Sequence, residues 1–220
     1  MNTAVYFILG AAYLALLIWG ISLSNRNGLW DISNVYLLVI VGLIYDNSII
    51  ALGKYIGEGR LLETLSFFRY LLHALFTPAL VIFAWNISAK LNLSWAKKTF
   101  WKFFMSLLTI ALIGFELLAS VWNLQLQPMM ENGLLTYKIA ESGIPLMVIV
   151  VSVVLLAAGF IIMKKWRFPW LFWGTLAVFL GSTLQAWIKD FPIMNSLEFI
   201  LLLSITLTKQ FQVRHINTLK

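Results

Sequence analysis

The chain has 220 residues, of which 61% are hydrophobic and 11% charged, with a net charge of +7. A soluble domain carries about 25% charged residues, so a water-soluble fold is excluded, and so is a disordered chain, which needs low hydrophobicity and high charge. The absence of cysteine excludes disulfides, thiolate metal sites and thiol nucleophiles, and the two histidines, His73 and His215, cannot build a three-histidine zinc site within one chain.

What remains is an all-α fold, a polytopic transmembrane helical bundle. A span needs about 20 mostly apolar residues, and backbone in lipid must satisfy its own hydrogen bonds, which makes each such run a helix. Seven runs qualify, at 4–22, 34–56, 62–87, 100–124, 143–163, 168–188 and 192–209. They use most of residues 1–220 and make one integral membrane domain with no room for a soluble one.

Taken in order, the runs differ in what they carry. The first opens on Met1-Asn2-Thr3-Ala4, with no basic residue and no clear cleavage site after it, and is read as a retained span rather than a signal peptide. The second holds Tyr45-Asp46-Asn47 about halfway along. The third holds Glu63, Arg69 and His73, the last two sharing a helix face at a spacing of four, with Ser66 and Thr77 on the same stripe and Pro78 predicting a kink. The fourth holds Glu116, followed by Ser120 and Asn123 at helical spacing. The connection 125–142 is read as an ordinary loop, turned at Pro128 and Gly133. The fifth run has almost nothing polar beyond Ser152. The sixth holds Ser182, Gln185 and Lys189, and the seventh Asn195 and Glu198.

Lysine and arginine set the orientation. Arg26, the cluster Lys90, Lys97, Lys98 and Lys102, the cluster Lys164, Lys165 and Arg167, and Lys209, Arg214 and Lys220 put eleven on one side; Lys54, Arg60, Lys138 and Lys189 put four on the other. The positive-inside rule then predicts an outside amino terminus and a cytoplasmic carboxyl terminus, in the cytoplasmic or inner membrane if the source is bacterial. The basic clusters suit anionic headgroups, and nothing suggests nucleic acid.

With that orientation Asp46 and His73 fall near the midplane, and Arg69, Glu116, Gln185, Asn195 and Glu198 in the outer half. A charge at the centre of a span costs about 2.5–3.5 kcal/mol on insertion scales, so charges at one depth on several spans predict a shared polar cavity. Its expected walls are spans 2, 3, 4, 6 and 7, with span 5 a peripheral support. The plainer reading is ion pairs and hydrogen bonds that only join helices.

The expected function is that of a membrane-embedded enzyme or binding protein for a lipid or other apolar small molecule with a polar head. Asp46, His73 and Glu116 are the candidate acid/base groups. Arg69, Tyr45, Asn47, Gln185, Asn195 and Glu198 are the candidate substrate-binding residues, Arg69 for an anionic head. Glu116 or Glu198 would be a second acid or a metal ligand; the sequence names neither a metal nor a cofactor. The partners it implies are membrane lipids and that ligand. Two alternatives stand beside it: a small proton-linked transporter or channel, and a non-catalytic membrane subunit or assembly factor. A retinal protein is excluded, because the lysine of the last span, Lys209, lies at its cytoplasmic end rather than its middle.

Overall fold

The computed structural model describes residues 2–25, 28, 30–122, 124–131, 133–139, 145–184 and 193–218. Over these residues each of the seven predicted runs is helical. The elements are α1 (Asn2–Asn25), a short 3-10 turn (Ile32–Asn34), α2 (Tyr36–Ile56), α3 (Arg60–Phe76), α4 (Ala79–Lys90), α5 (Thr99–Glu116) continued by a π-helical turn (Leu117–Val121), β1 (Leu126–Glu131), β2 (Leu134–Ile139), α6 (Leu146–Trp166), α7 (Trp170–Leu184) and α8 (Ile193–Thr218). Five helical stretches, Thr3–Asn25, Ile32–Ile56, Arg60–Lys90, Thr99–Val121 and Leu146–Trp166, are long and apolar enough to cross a membrane, the architecture of a multi-pass integral membrane protein. The described part of α7 is apolar but shorter, and α8 is long but interrupted by Asn195, Glu198 and Lys209.

The third run is two helices. Pro78 has no N–H to give and its ring crowds the preceding turn, so the ladder breaks between α3 and α4. Leu80 N–H donates to Thr77 O and Val81 N–H to Pro78 O, three residues back instead of four. The chain stays close to helical dihedrals there, which bends the span rather than ending it.

Helices adjacent in sequence pack side by side, α1 on α2, α2 on α3, α6 on α7 and α7 on α8, and α8 closes back onto α1. Close approach rests on small residues, the usual device where lipid offers no hydrophobic drive between helices: a Cβ on Gly174 would sit 2.2 Å from Ser204 Oγ on α8. One core runs through α1, α2, α4, α6, α7 and α8, with Tyr13, Tyr36, Phe83, Leu155 and Ile205 fully enclosed. α5 is more peripheral. Its Phe100, Phe103, Leu107 and Ile110 are exposed, as a lipid-facing stripe should be.

The connection 125–142, expected to be an ordinary loop, holds an antiparallel β-hairpin, with Leu126 opposite Ile139 and Glu131 opposite Leu134. Asn132-Gly133 stands between two β-prone segments, a strong hairpin signal, and Gly133 takes a φ of +77° that other residues avoid. The hairpin sits at the α2–α3 turn. A second apolar cluster of Ile49, Leu62, Leu135 and Tyr137 holds it there, and Gly59 N–H donates to Tyr137 Oη at 3.2 Å. Gly53 makes the fit possible, since a Cβ at that position would lie 1.9 Å from the carbonyl oxygen of Leu135.

At the other end of α2 a polar network ties the α1–α2 connection to α4 and α8. Asp31 Oδ1 accepts from Ser33 N–H at 2.8 Å and from Ser33 Oγ at 2.6 Å. Lys90 Nζ pairs with Asp31 Oδ2, and Lys209 Nζ donates to Ser33 Oγ. Lys209 is completely buried. Burial pushes the Asp31 carboxyl up, but the Lys90 ammonium and the two Ser33 donors outweigh it and hold the group down at about 2.

Candidate functional site

A cavity of about 440 Å³ lies inside the bundle, within the roughly 300–1,000 Å³ usual for small-molecule sites. α2 supplies Val39, Gly42, Leu43, Asp46 and Ile50, one helix face spanning about 16 Å at 1.5 Å per residue. Five predicted residues, Asp46, Arg69, His73, Asn195 and Glu198, line it together. The cavity has two chemically different ends. Towards the hairpin it meets Asp46, Arg69, Thr136, Lys138 and Asn195 beside Ile50, Leu134 and Ile193; towards the bundle interior its wall is Val39, Leu43, Phe76, Leu80, Leu155, Val178 and Leu202, with Thr77 the polar residue among them.

The centre of the polar end is an ion pair across α2 and α3. Arg69 Nε donates to Asp46 Oδ1 at 2.8 Å, with the two side chains 11% and 24% exposed, so the pair is shielded but in contact with the cavity. Arg69 Nη1 donates to Thr136 Oγ1 at 2.8 Å. Asn195 Nδ2 makes long contacts of 3.5 Å to Asp46 Oδ2 and to Asn47 Oδ1. This links α8 to both, and Tyr13 Oη on α1 steadies that turn of α8 by donating to Asn195 O at 3.2 Å. His73 sits one turn below Arg69, its Nδ1 3.2 Å from Thr77 Oγ1. Thr77 is at the Pro78 bend, so the broken turn also fixes the imidazole.

Other predicted residues lie elsewhere. Successive residues on a helix point about 100° apart. With Asp46 facing the cavity, Tyr45 turns to α3, where its hydroxyl donates to Leu65 O at 3.0 Å. Asn47 turns inward, fully buried and bonded to Leu43 O at 2.8 Å. Glu116 is not part of the lining: α5 contributes no residue to it, and the carboxylate accepts from Ser120 Oγ at 2.7 Å beside the π turn. Gln185, Asn123 and Lys189 fall outside the described residues.

The expected walls change accordingly. Span 4 is not a wall, because α5 packs on the outside of α3 and α4. Span 5 is not a peripheral support: α6 supplies Val148, Val151, Ser152 and Leu155. Its lack of polar residues marked the apolar half of the cavity rather than distance from it. The hairpin residues Leu134, Thr136 and Lys138, and the tyrosines Tyr6 and Tyr70, also line the cavity and were not anticipated. For the hairpin the signal was present in Asn132-Gly133 and the alternation after it; for the tyrosines no sequence feature marked them.

Chemically the site offers two carboxylates, one guanidinium, one ammonium and one imidazole around a partly apolar space. Among the described residues no three His, Asp or Glu side chains are grouped to hold a metal ion. Comparison of the chain with protein-family models, with curated proteins and with solved structures finds no match.

Proposed function

We propose that this chain is a membrane-embedded binding protein or enzyme for an amphiphile, a lipid or other apolar small molecule with a polar head. The head lies at the Asp46–Arg69 end and the apolar part against Leu43, Leu80, Leu155 and Leu202. The observation that carries the proposal is the division of a single cavity into a charged end and an apolar end; a uniformly polar space would favour water and ions, and a uniformly apolar one needs no charges. By the positive-inside rule the charged end belongs to the outer half of the bilayer, with the amino terminus outside. Asp46 and His73 are the acid/base candidates, and Glu198, which lines the cavity, takes the second-acid role given in the sequence to either Glu116 or Glu198.

Transport is the weaker reading. A through-path needs polar lining beyond the midplane, whereas the inner part of this cavity is apolar. The polar groups at the far end, Asp31, Ser33, Lys90 and Lys209, are engaged with one another.

The test is extraction of small molecules from the purified protein, with Leu155→Trp as the cavity-filled comparison. The wild type is expected to carry an amphiphile near one per chain and the variant far less, read by mass spectrometry. Wild-type protein that carries none, and takes none up from added lipid, defeats the proposal. Head-group analysis of lipids incubated with wild type and with Asp46→Asn then separates turnover from binding.

A further inference from the structure

The cavity holds two polar groups that its charged end does not engage. On α8, Glu198 stands between Asn195, at the charged end, and Leu201 and Leu202, beyond it on the cavity wall. It lies three residues past Asn195, about 4.5 Å along the axis at 1.5 Å per residue. Its carboxyl makes no hydrogen bond or ion pair among the described residues. On α6, Ser152 lines the cavity between Val148 and Leu155 while only 6% exposed. A hydroxyl within a helix can return to the carbonyl four residues back, as those of Ser48, Thr109, Thr175 and Ser204 do at 2.7–2.9 Å. The Ser152 hydroxyl makes no such bond among the described residues and is left to the cavity. A polar group taken out of water without a hydrogen-bond partner is costly, and a carboxyl within a span more so. Two such groups, set where an apolar chain would otherwise lie, call for a partner that enters with the ligand.

Resting on the amphiphile reading above, we infer that the ligand carries a hydroxyl within its apolar part, about one helical turn beyond its head, and that Glu198 receives it. Glu198 is then the specificity-determining residue of the inner part of the cavity. A carboxyl oxygen accepts from a hydroxyl in either protonation state, so the assignment does not depend on the charges at the other end. A plain alkyl chain would pass Glu198 and leave it unpaired, which carries the full penalty of an unsatisfied buried group.

The experiment uses the full chain in nanodiscs of phosphatidylcholine and three probes of equal chain length: dodecanol, 1,5-dodecanediol and 1,12-dodecanediol. Each affinity is corrected for uptake by empty nanodiscs. The 1,5-diol places its second hydroxyl about one helical turn from the first, and the 1,12-diol places it at the far end of the chain. The 1,5-diol is expected to bind about tenfold tighter than the other two, the effect of one hydrogen bond to a carboxyl. Glu198→Leu should abolish that preference, and Glu198→Gln, which keeps an acceptor oxygen, should retain most of it. The preference is a ratio of two probes in one variant, so a variant that binds no probe is recognised at once, and Glu198→Ala is then read in place of Glu198→Leu. The inference is overturned if dodecanol binds the wild type as tightly as the 1,5-diol, if the 1,12-diol matches the 1,5-diol, or if the preference survives without an acceptor at position 198. In each of these cases dodecanol binding that disappears in Leu155→Trp leaves the amphiphile reading standing. If no probe binds the wild type, that reading falls together with this one.

Discussion

Two ion pairs stand along the same helix and are used differently. Asp31–Lys90 lies at the start of α2 and Asp46–Arg69 halfway along it. Around Asp31 the donors are consumed locally: Ser33 and Lys90 hold the carboxylate, Lys209 holds Ser33, and none of the four lines the large cavity. Around Asp46 the same kind of pair faces open volume, and Arg69 Nη2 takes no bond among the described residues. The half-buried Asp31 pair, its partners engaged with one another, joins the α1–α2 connection, α4 and α8; the Asp46 pair stands on a cavity wall. Charge within the membrane is thus not by itself a functional mark. What distinguishes the two is the space beside the pair.

That distinction predicts opposite costs for equivalent substitutions. Asp31→Asn is expected to have the largest effect on stability. It leaves the Lys90 ammonium without its carboxylate and loosens the Ser33 contact that holds the fully buried Lys209, so the loss should exceed the roughly 1 kcal/mol of an exposed pair. Unfolding in detergent measures it, and Lys209→Met in the same chain should recover part of the loss. Acid supplies an independent check. The folded carboxyl sits at about 2, below the value of about 3.9 for an unperturbed aspartate, so its contribution is present above pH 4 and is lost as pH falls towards 2. Wild type should lose stability across that window more steeply than Asp31→Asn. Equal slopes would mean that the pair is not stabilising.

The hairpin is the next place to press. Gly53→Ala puts a Cβ where the Leu135 carbonyl oxygen now lies, and overpacking of this kind costs about 1–3 kcal/mol. The expected result is a displaced hairpin on an intact bundle, with unchanged helical circular dichroism and weakened ligand binding, because Thr136 no longer meets Arg69. Wild-type binding in this variant would show that the hairpin is dispensable to the site.

How much of this was legible in the sequence follows from the physics of each part. The helices were, because the absence of water forces apolar runs of fixed length. That Asp46, Arg69, His73, Asn195 and Glu198 share one cavity was, because charged and strongly polar groups in a span are costly enough to need a reason. The helix phase of Tyr45 and Asn47 was not, since three consecutive polar residues do not say which one faces inward. Glu116 misled for a related reason. Depth in the membrane can be read from residue number, but the side of the helix that carries a neighbour cannot. The role of α6 was invisible because an apolar cavity wall and a lipid-facing surface have the same composition.

The sharpest test of the comparison is Asp46→Asn, where stability should change least. Asparagine keeps an oxygen that can accept from Arg69 Nε, and the pair borders a cavity instead of packed core, so the loss should be about 1 kcal/mol. The same substitution frees the Arg69 guanidinium from its counter-charge and deprives the site of its proposed acid/base group. If the cavity only binds an amphiphile, Asp46→Asn should still carry its ligand. If the protein also turns its ligand over, binding should persist while turnover falls by about 100-fold or more, the usual share of a positioned general acid or base. A stability loss as large as that of Asp31→Asn would place both pairs in the same structural role and remove the reason for a functional site at α2 and α3.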